Sequence, residues 1–261
     1  NSDGKFTGER MTLRKAMAQS INSVAAQVMK KLGPERVVEY AKRLGINSPL
    51  DAVPALCLGA SDVSVFELVS AYSTFVSGGT WTKPYYITRI ADKNGNVLAS
   101  FNPEKKEVIS EETAYMMVHM LMGATKERNG TALGLHRLGK TLVGNEVGGK
   151  TGTTSNYSDG WFMGITKQLV TGIWVGGEDR SIHFRSFHLG QGSKMALPIW
   201  SYYMDKVYAD PVLGITKGPF KRPANLSVDL TCSGRVPLDT TGGDTNRIQQ
   251  MVDPNLNSID D

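Results

Sequence analysis

The stretch Gly148-Gly-Lys-Thr-Gly-Thr-Thr154 decides how the rest of this 261-residue chain is interpreted. It places one cation, three hydroxyl groups and three glycines within seven residues. β-Branched, aromatic and glycine-rich segments follow at 160–166 and 169–176, and the links between them are short. This pattern predicts an antiparallel meander of three strands, with residues 147–154 as the first strand.

A phosphate-binding loop is the first chemistry to test, because the string G-x-x-x-x-G-K-[ST] occurs twice, at 134–141 and at 144–151. Such a loop needs a helix that begins at its Lys-Thr pair, so that backbone N–H groups and the helix dipole face the anion. Leu-Val-Gly-Asn follows Thr141, and Gly-Thr-Thr-Ser-Asn follows Thr151. Neither sequence favours a helix, so nucleotide binding is rejected.

A strand gives the lysine a different use. Side chains alternate along a strand, so Lys150 and Gly152 should point to one face, and Thr151 and Thr153 to the other. Serving one site from both faces requires a local twist, which a glycine permits. An edge strand of this composition offers N–H groups to an extended peptide, and a cation and hydroxyl groups to its carboxylate. An ordinary polar edge strand fits the spacing equally well. The stretch alone leaves both interpretations open.

The remaining elements are predicted from apolar spacing, capping residues and turn residues. In chain order they are helices over 12–32 (interrupted at Asn22), 35–44, 64–76 and 110–125, a hairpin of strands 85–91 and 97–101 around Asn94-Gly95, and a last helix over 195–207. Residues 210–261 are rich in Pro, Gly, Asn, Asp and Thr, which is typical of an extended or loosely packed tail. We therefore expect a folded domain over 1–209 and a tail over 210–261.

Composition narrows the classes of function. The net charge is only +4 and no dense Lys/Arg run occurs, so nucleic acid is not an expected partner. Cys57, Cys232 and the four histidines do not lie at metal-ligand spacing, so we expect no metal site and no cofactor. No apolar run approaches the length of a membrane span. The chain opens on Asn1 without an initiator methionine, and we expect it to begin inside a longer protein.

Two motifs carry a resemblance to a known family. Ser20-Ile-Asn22 and, far downstream, Lys150-Thr-Gly152 resemble the S-x-N and K-T-G motifs of the penicillin-binding proteins and serine β-lactamases. The flanking sequences look like the transpeptidase domain of bifunctional, class A penicillin-binding proteins; they are Met11 to Asn22, Leu58-Gly-Ala-Ser-Asp-Val63, Asp159-Gly-Trp-Phe162 and Ile173-Trp-Val-Gly176. The resemblance covers about residues 4–207.

The resemblance implies a fold of the α/β (α+β) class. It is the penicillin-binding transpeptidase or serine β-lactamase fold, an antiparallel sheet with helices on both sides and a helical subdomain. In this chain we expect that fold to be incomplete at the N-terminal side, with the first sheet strands missing.

The family's first motif, S-x-x-K, carries the nucleophilic serine. Here the string occurs only as Ser2-Asp-Gly-Lys5. It lies too close to Ser20, and its Asp-Gly pair favours a turn over a helix. We therefore expect no nucleophile in this chain and a missing N-terminal piece of the same domain that supplies it. Whether that piece exists as a separate chain is left open.

The resemblance also implies roles in acyl transfer to a serine. Ser20 would relay a proton to the leaving amine, Asn22 would hydrogen-bond the substrate amide, and Lys150 would keep the site positive.

The strand would bind the substrate. Thr151 and Thr153 would bind its carboxylate, with Gly152 between them, and the N–H of Thr153 would supply half of an oxyanion hole. The implied partners are the D-Ala-D-Ala end of a peptidoglycan stem peptide and the β-lactam antibiotics. The implied location is the outer face of the bacterial cytoplasmic membrane, in the periplasm, within a membrane-anchored parent that carries a glycosyltransferase domain.

Three alternatives stay open at this point. A β-lactamase or a D,D-carboxypeptidase of the same superfamily would hydrolyse β-lactams or release D-alanine without cross-linking. The long tail and the flank at 58–63 favour the transpeptidase over both. A non-catalytic binding module would use the same cleft without a serine nucleophile.

Overall fold

Runs of helices are followed by runs of short strands along the chain. A computed structural model describes residues 10–230, and the first of the chain's two compact units ends at Leu226. The helices are α1 (Leu13–Ala18), α2 (Asn22–Leu32), α3 (Pro34–Arg43), α4 (Val65–Val76), α5 (Glu111–Lys126), α6 (Leu135–Leu138), α7 (Phe187–Gly190) and α8 (Gly192–Ala209). The strands are β1 (Thr80–Thr82), β2 (Arg89–Ala91), β3 (Val97–Ser100), β4 (Lys105–Glu107), β5 (Gly148–Thr153), β6 (Gly160–Ile165) and β7 (Val170–Val175).

Capping residues explain where the main helices begin. The side chains of Thr12 and Ser110 each accept a hydrogen bond from a backbone N–H in the first turn of α1 and α5. Ser64 and Glu67 form the predicted capping box at the start of α4, in which each side chain bonds the other residue's backbone N–H. The predicted helices, including the interruption before Asn22, are confirmed.

The sheet β5–β6–β7 is the centre of the fold. Its strands are antiparallel and β6 lies in the middle. Gly148 pairs with Ile165 and Thr153 with Gly160, and on the other side of β6 Ile165 pairs with Val170. The predicted meander is therefore confirmed, and the lysine stretch lies in its first strand.

Successive side chains of strand β6 point in turn toward two layers of helices, one on each side of the sheet. The ring of Phe162 packs edge-on against Trp200 of α8, with centroids 5.3 Å apart. A Cβ atom on Gly164 would lie 2.3 Å from the same indole, so only glycine fits there. Ile165 points the opposite way and packs with Leu121 of α5. The sheet therefore has helices on both sides, as expected for the fold class.

One strand pair was not predicted. β1 and β4 pair antiparallel and bracket the β2–β3 hairpin, which was predicted. Each of the two strands has three residues. A segment of that length is too short for an alternating pattern to stand out from its surroundings.

The segment after α8 packs more closely than its composition indicates. Phe220 is buried in a cluster with Val118, Leu121 and Met122 of α5. Its N–H also donates to Glu146 Oε2 at 3.0 Å. A single aromatic residue that fills a gap contributes little to the composition of a long segment, which is why the loose packing expected there does not hold at this residue. Residues 231–261 of the expected tail lie outside the described part of the chain.

Candidate active site

Helix α5 holds the two halves of the site together. On one side it contacts α1 so closely that a Cβ atom on Gly123 would lie 3.1 Å from the Cβ of Ala18. On the other side, Thr125 Oγ1 donates at 2.7 Å to the carbonyl of Val147, the residue that precedes β5. The end of α1 and the start of β5 are therefore fixed relative to each other through one helix.

Ser20 has a backbone conformation that is uncommon for serine. Its φ angle is 55°, in the left-handed region. The N–H of Ser20 donates to the carbonyl of Met17 at 3.1 Å, and the N–H of Ile21 to that of Ala16 at 2.9 Å. These two bonds form a Schellman motif in which Ser20 takes the position that glycine usually fills. The left-handed conformation costs a non-glycine residue roughly 1–2 kcal/mol, and such strain tends to occur at functional sites.

Lys150 reaches Ser20 from strand β5. Its Nζ donates to Ser20 Oγ at 2.8 Å, although the two residues are 130 positions apart. Nζ also donates to the carbonyl of Thr151 at 2.7 Å. Burial lowers the pKa of Lys150 to about 8, because a charge without full hydration is disfavoured. The ammonium group is still mostly protonated at neutral pH.

This pair has the chemistry of a proton relay. Ser20 Oγ accepts its hydrogen bond from Lys150, so the serine's own proton remains available for another acceptor. A lysine with a pKa near 8 can replace a proton that the serine gives away. Ser20 and Lys150, chosen from the sequence, are therefore in direct contact.

The threonines lie on the other side of β5. Thr153 Oγ1 accepts a hydrogen bond at 3.0 Å from the N–H of Gly192, the first residue of α8. Thr151 shares that side by alternation. The predicted alternation is confirmed, so Lys150 and Thr153 do not converge on one face. They flank the edge of β5 that no other strand of residues 10–230 pairs with.

The other predicted site residues are placed as follows. Gly152 pairs with Trp161, and a Cβ atom on Gly152 would lie 3.1 Å from the Trp161 Cβ. Asn22 is the first residue of α2 and is exposed. The Ser2–Lys5 string lies outside the described residues. Within residues 10–230 no group of His, Cys, Asp or Glu is arranged to hold a metal ion.

Neither Gly-Lys-Thr string begins a helix. Lys150 and Thr151 lie inside β5, and Thr141 lies in a turn. The rejection of a phosphate-binding loop is confirmed by this geometry, since the loop requires a helix at that point.

A network around Asp159 orders the loop that follows Thr153. Asp159 Oδ1 accepts a hydrogen bond from Trp174 Nε1 at 2.9 Å, and Asp159 Oδ2 accepts one from Ser158 Oγ at 2.7 Å. Its N–H donates to Thr154 Oγ1 at 2.9 Å. Burial would raise the pKa of Asp159, but the hydrogen bonds from Ser158 and Trp174 outweigh it and hold the pKa below its usual value. The sequence marked this aspartate only as part of a flanking motif.

Sequence reasoning missed Gly192. It lies 39 residues after Thr153, and no local pattern links the two. Its role becomes visible only when α8 is packed on the sheet.

The family is decided by a match along most of the chain. Residues 1–175 match the model of the penicillin binding protein transpeptidase domain. The chain belongs to the penicillin-binding protein transpeptidase family. A relative of this transpeptidase chain is penicillin-binding protein 1A of Aquifex aeolicus (strain VF5), 39% identical over 207 residues. The match covers 79% of the chain and 27% of the relative, so the chain spans about a quarter of that protein's length.

Solved structures share the transpeptidase fold. Penicillin-binding protein 1A from Haemophilus influenzae superposes with a TM-score of 0.71 at 24% identity, over 85% of this chain and 39% of that one. PonA1 from Mycobacterium tuberculosis, in complex with penicillin V, gives a TM-score of 0.68 at 22% identity, over 87% of this chain and 62% of that one. The mixed α/β architecture expected from the resemblance is thus confirmed. Among residues 10–230, no helix has the length and apolar character that crossing a membrane requires.

Proposed function

We propose that the chain forms the carboxylate-binding and proton-relaying part of a peptidoglycan D,D-transpeptidase site. The observation that carries the proposal is the 2.8 Å contact between Lys150 Nζ and Ser20 Oγ, next to the free edge of β5. A cation and an edge strand suit the binding of a peptide with a terminal carboxylate, and a hydroxyl with an available proton suits protonation of the departing amine.

The proposed reaction has two steps. The hydroxyl oxygen of a serine attacks the carbonyl carbon of the penultimate D-alanine of a stem peptide. The proton of that serine passes to the lysine of its S-x-x-K segment as the ester bond forms. The C–N bond breaks, Ser20 gives its proton to the departing nitrogen, and Lys150 restores the proton to Ser20. The proton held by the S-x-x-K lysine then returns Lys150 to its charged form. D-Alanine leaves and an ester remains on the enzyme. The amine of a second stem peptide then attacks the ester, which forms the cross-link and releases the serine.

Substrate binding is assigned to strand β5 and the start of α2. The charge of Lys150 and the hydroxyl groups of Thr151 and Thr153 bind the terminal carboxylate, and Asn22 hydrogen-bonds the peptide amide. The N–H of Thr153 supplies one of two donors to the oxyanion. A β-lactam offers a carboxylate beside a reactive amide, so the same groups would guide it onto the serine.

The attacking serine is proposed to lie in a preceding piece of the same domain, since Ser2-Asp-Gly-Lys5 is too close to Ser20 to serve. We further propose that the longer protein is bifunctional, membrane-anchored and active at the outer face of the cytoplasmic membrane.

Labelling with a fluorescent penicillin tests the proposal. We expect the 261-residue chain to remain unlabelled and a longer protein, extended on its N-terminal side to include an S-x-x-K segment, to acquire one covalent penicillin by intact mass. An adduct on Ser2 of the shorter chain would contradict the assignment of the nucleophile. No adduct on the longer protein would contradict the function.

Product analysis separates the alternatives. Rapid release of hydrolysed penicillin by the longer protein would indicate a β-lactamase. Release of D-alanine without cross-linked dimer would indicate a D,D-carboxypeptidase. Reversible binding without acylation would indicate a binding module.

A further inference from the structure

The first residue of α8 contacts the carboxylate-binding strand in two ways. The N–H of Gly192 donates to Thr153 Oγ1 at 3.0 Å. A Cβ atom on Gly192 would lie 2.3 Å from the carbonyl oxygen of Gly152 and 2.5 Å from that of Trp161. Both neighbours are backbone atoms in the middle of a strand pair, so they cannot move aside as a flexible side chain would. The hydrogen bond to Thr153 therefore requires glycine at position 192.

This hydrogen bond controls where the Thr153 hydroxyl can point. A threonine hydroxyl carries one proton and two lone pairs. The Gly192 N–H occupies one lone pair, and Thr153 itself is exposed at the end of β5. The hydroxyl proton is left to point away from α8. A carboxylate at the free edge of β5 accepts that proton without first having to order the side chain, which lowers the entropic cost of binding.

The dipole of helix α8 also favours a bound anion near Thr153. The helix runs over 18 residues from Gly192 and has no acidic residue in its first turn. Lys194 lies in that turn instead. No carboxylate in the first turn therefore neutralises the positive end of the helix dipole. The Gly192 N–H at that end polarises the Thr153 hydroxyl, which makes the hydroxyl a stronger hydrogen-bond donor to a ligand.

We propose that Gly192 is a positioning residue for carboxylate recognition: it orients and polarises the Thr153 hydroxyl toward the terminal carboxylate of the substrate. The inference rests on the proposed function. It adds that discrimination for a carboxylate depends on the junction between α8 and β5 as well as on Lys150.

Two peptides test the inference by NMR titration of the 261-residue chain. One is an N-acetylated peptide that ends in D-Ala-D-Ala, and the other is the same peptide with a C-terminal carboxamide. We expect Gly192→Ala to lower the ratio of their affinities by about tenfold, since a charge-assisted hydrogen bond is lost, and to leave carboxamide affinity nearly unchanged. Gly164→Ala is the matched control, because its Cβ would meet α8 at Trp200, away from Thr153. It should disturb packing without changing the ratio.

The possible outcomes distinguish a failure of the Gly192 role from a failure of the proposed function. If the wild-type chain prefers the carboxylate and Gly192→Ala keeps that preference, or Gly164→Ala loses it equally, Gly192 has no positioning role. If the wild-type chain shows no preference, the proposed function fails and the inference falls with it.

A measurement on the wild-type chain tests the inference even if the Gly192→Ala variant does not fold. The Gly192 amide proton should shift on addition of the carboxylate peptide and not on addition of the carboxamide. A bound carboxylate that leaves this signal unchanged would overturn the inference.

Discussion

At the scale of single residues, Ser20 combines a strained backbone with a hydroxyl group that we propose relays a proton. A glycine would suit the left-handed turn after α1 better, yet glycine has no hydroxyl to accept from Lys150. The serine therefore gives up some stability in exchange for a proton-carrying group beside a cation.

A pair of substitutions isolates the strain at Ser20. Ser20→Gly and Ser20→Ala both remove the hydroxyl, but only the glycine variant relieves the left-handed conformation. We expect Ser20→Gly to be more stable than Ser20→Ala by about 1 kcal/mol, measured by chemical denaturation. Equal stabilities would show that the turn carries no strain.

The motif strings located Ser20 and Lys150 because each is a short, ordered pattern of chemical groups. They did not indicate the left-handed turn, since serine gives no local preference for it. They also did not indicate Gly192, whose requirement comes from a backbone approach across the sheet. The site residues that lie in short motifs were predictable from the sequence. The backbone conformation of Ser20 and the contact of Gly192 were not, because they depend on packing between distant parts of the chain.

At the scale of elements, Glu67 joins the start of α4 to the preceding loop. Besides its part in the capping box, its carboxylate accepts from the hydroxyl of Ser48 at 2.7 Å and from the N–H groups of Asn47 and Ser48, each at 2.8 Å. Led by the Ser48 hydroxyl, these bonds lower the pKa of Glu67 from 4.5 to about 2. The capping box was predictable from Ser64 and its spacing, whereas the bonds to the loop were not.

The pH dependence of stability tests this junction. Because the folded pKa of Glu67 lies below the unfolded one, its contribution is present above pH 4.5 and is lost as the pH falls toward 2. We expect Glu67→Gln to lower the free energy of unfolding at neutral pH by about 1–2 kcal/mol, since solvent screens part of the effect. The two proteins should converge at acid pH. Glu39→Gln, on an exposed face of α3, is the control and should change little. A constant difference at all pH values would contradict the account.

At the scale of the whole molecule, the sheet lies between α8 on one side and α4 and α5 on the other. The segment after α8 crosses to the side of the sheet where α5 lies, and Phe220 packs against that helix. The meander and the long helices followed from alternation and capping. The return of the chain did not, because one buried aromatic in a polar segment has no periodicity to reveal it.

Truncation of Phe220 tests whether this segment belongs to the folded unit. We expect Phe220→Ala to cost about 3–4 kcal/mol of stability by leaving a cavity beside α5, as measured by denaturant unfolding. Val212→Ala in the same segment should have almost no effect, since Val212 is 90% exposed. Similar small effects of both changes would contradict the packing described.

We propose that Lys150 of β5 binds a carboxylate and supplies a proton at a serine acyl-transfer site. The chain supplies its own control in Lys140, the lysine of the other Gly-Lys-Thr string. Lys140 is exposed, and its backbone N–H donates to Asp205. The decisive measurement is the second-order rate constant for acylation of the longer protein by penicillin. We predict that Lys150→Ala lowers it by about a hundredfold or more, while Lys140→Ala leaves it unchanged. A wild-type rate for Lys150→Ala, or equal losses for both variants, would contradict the account.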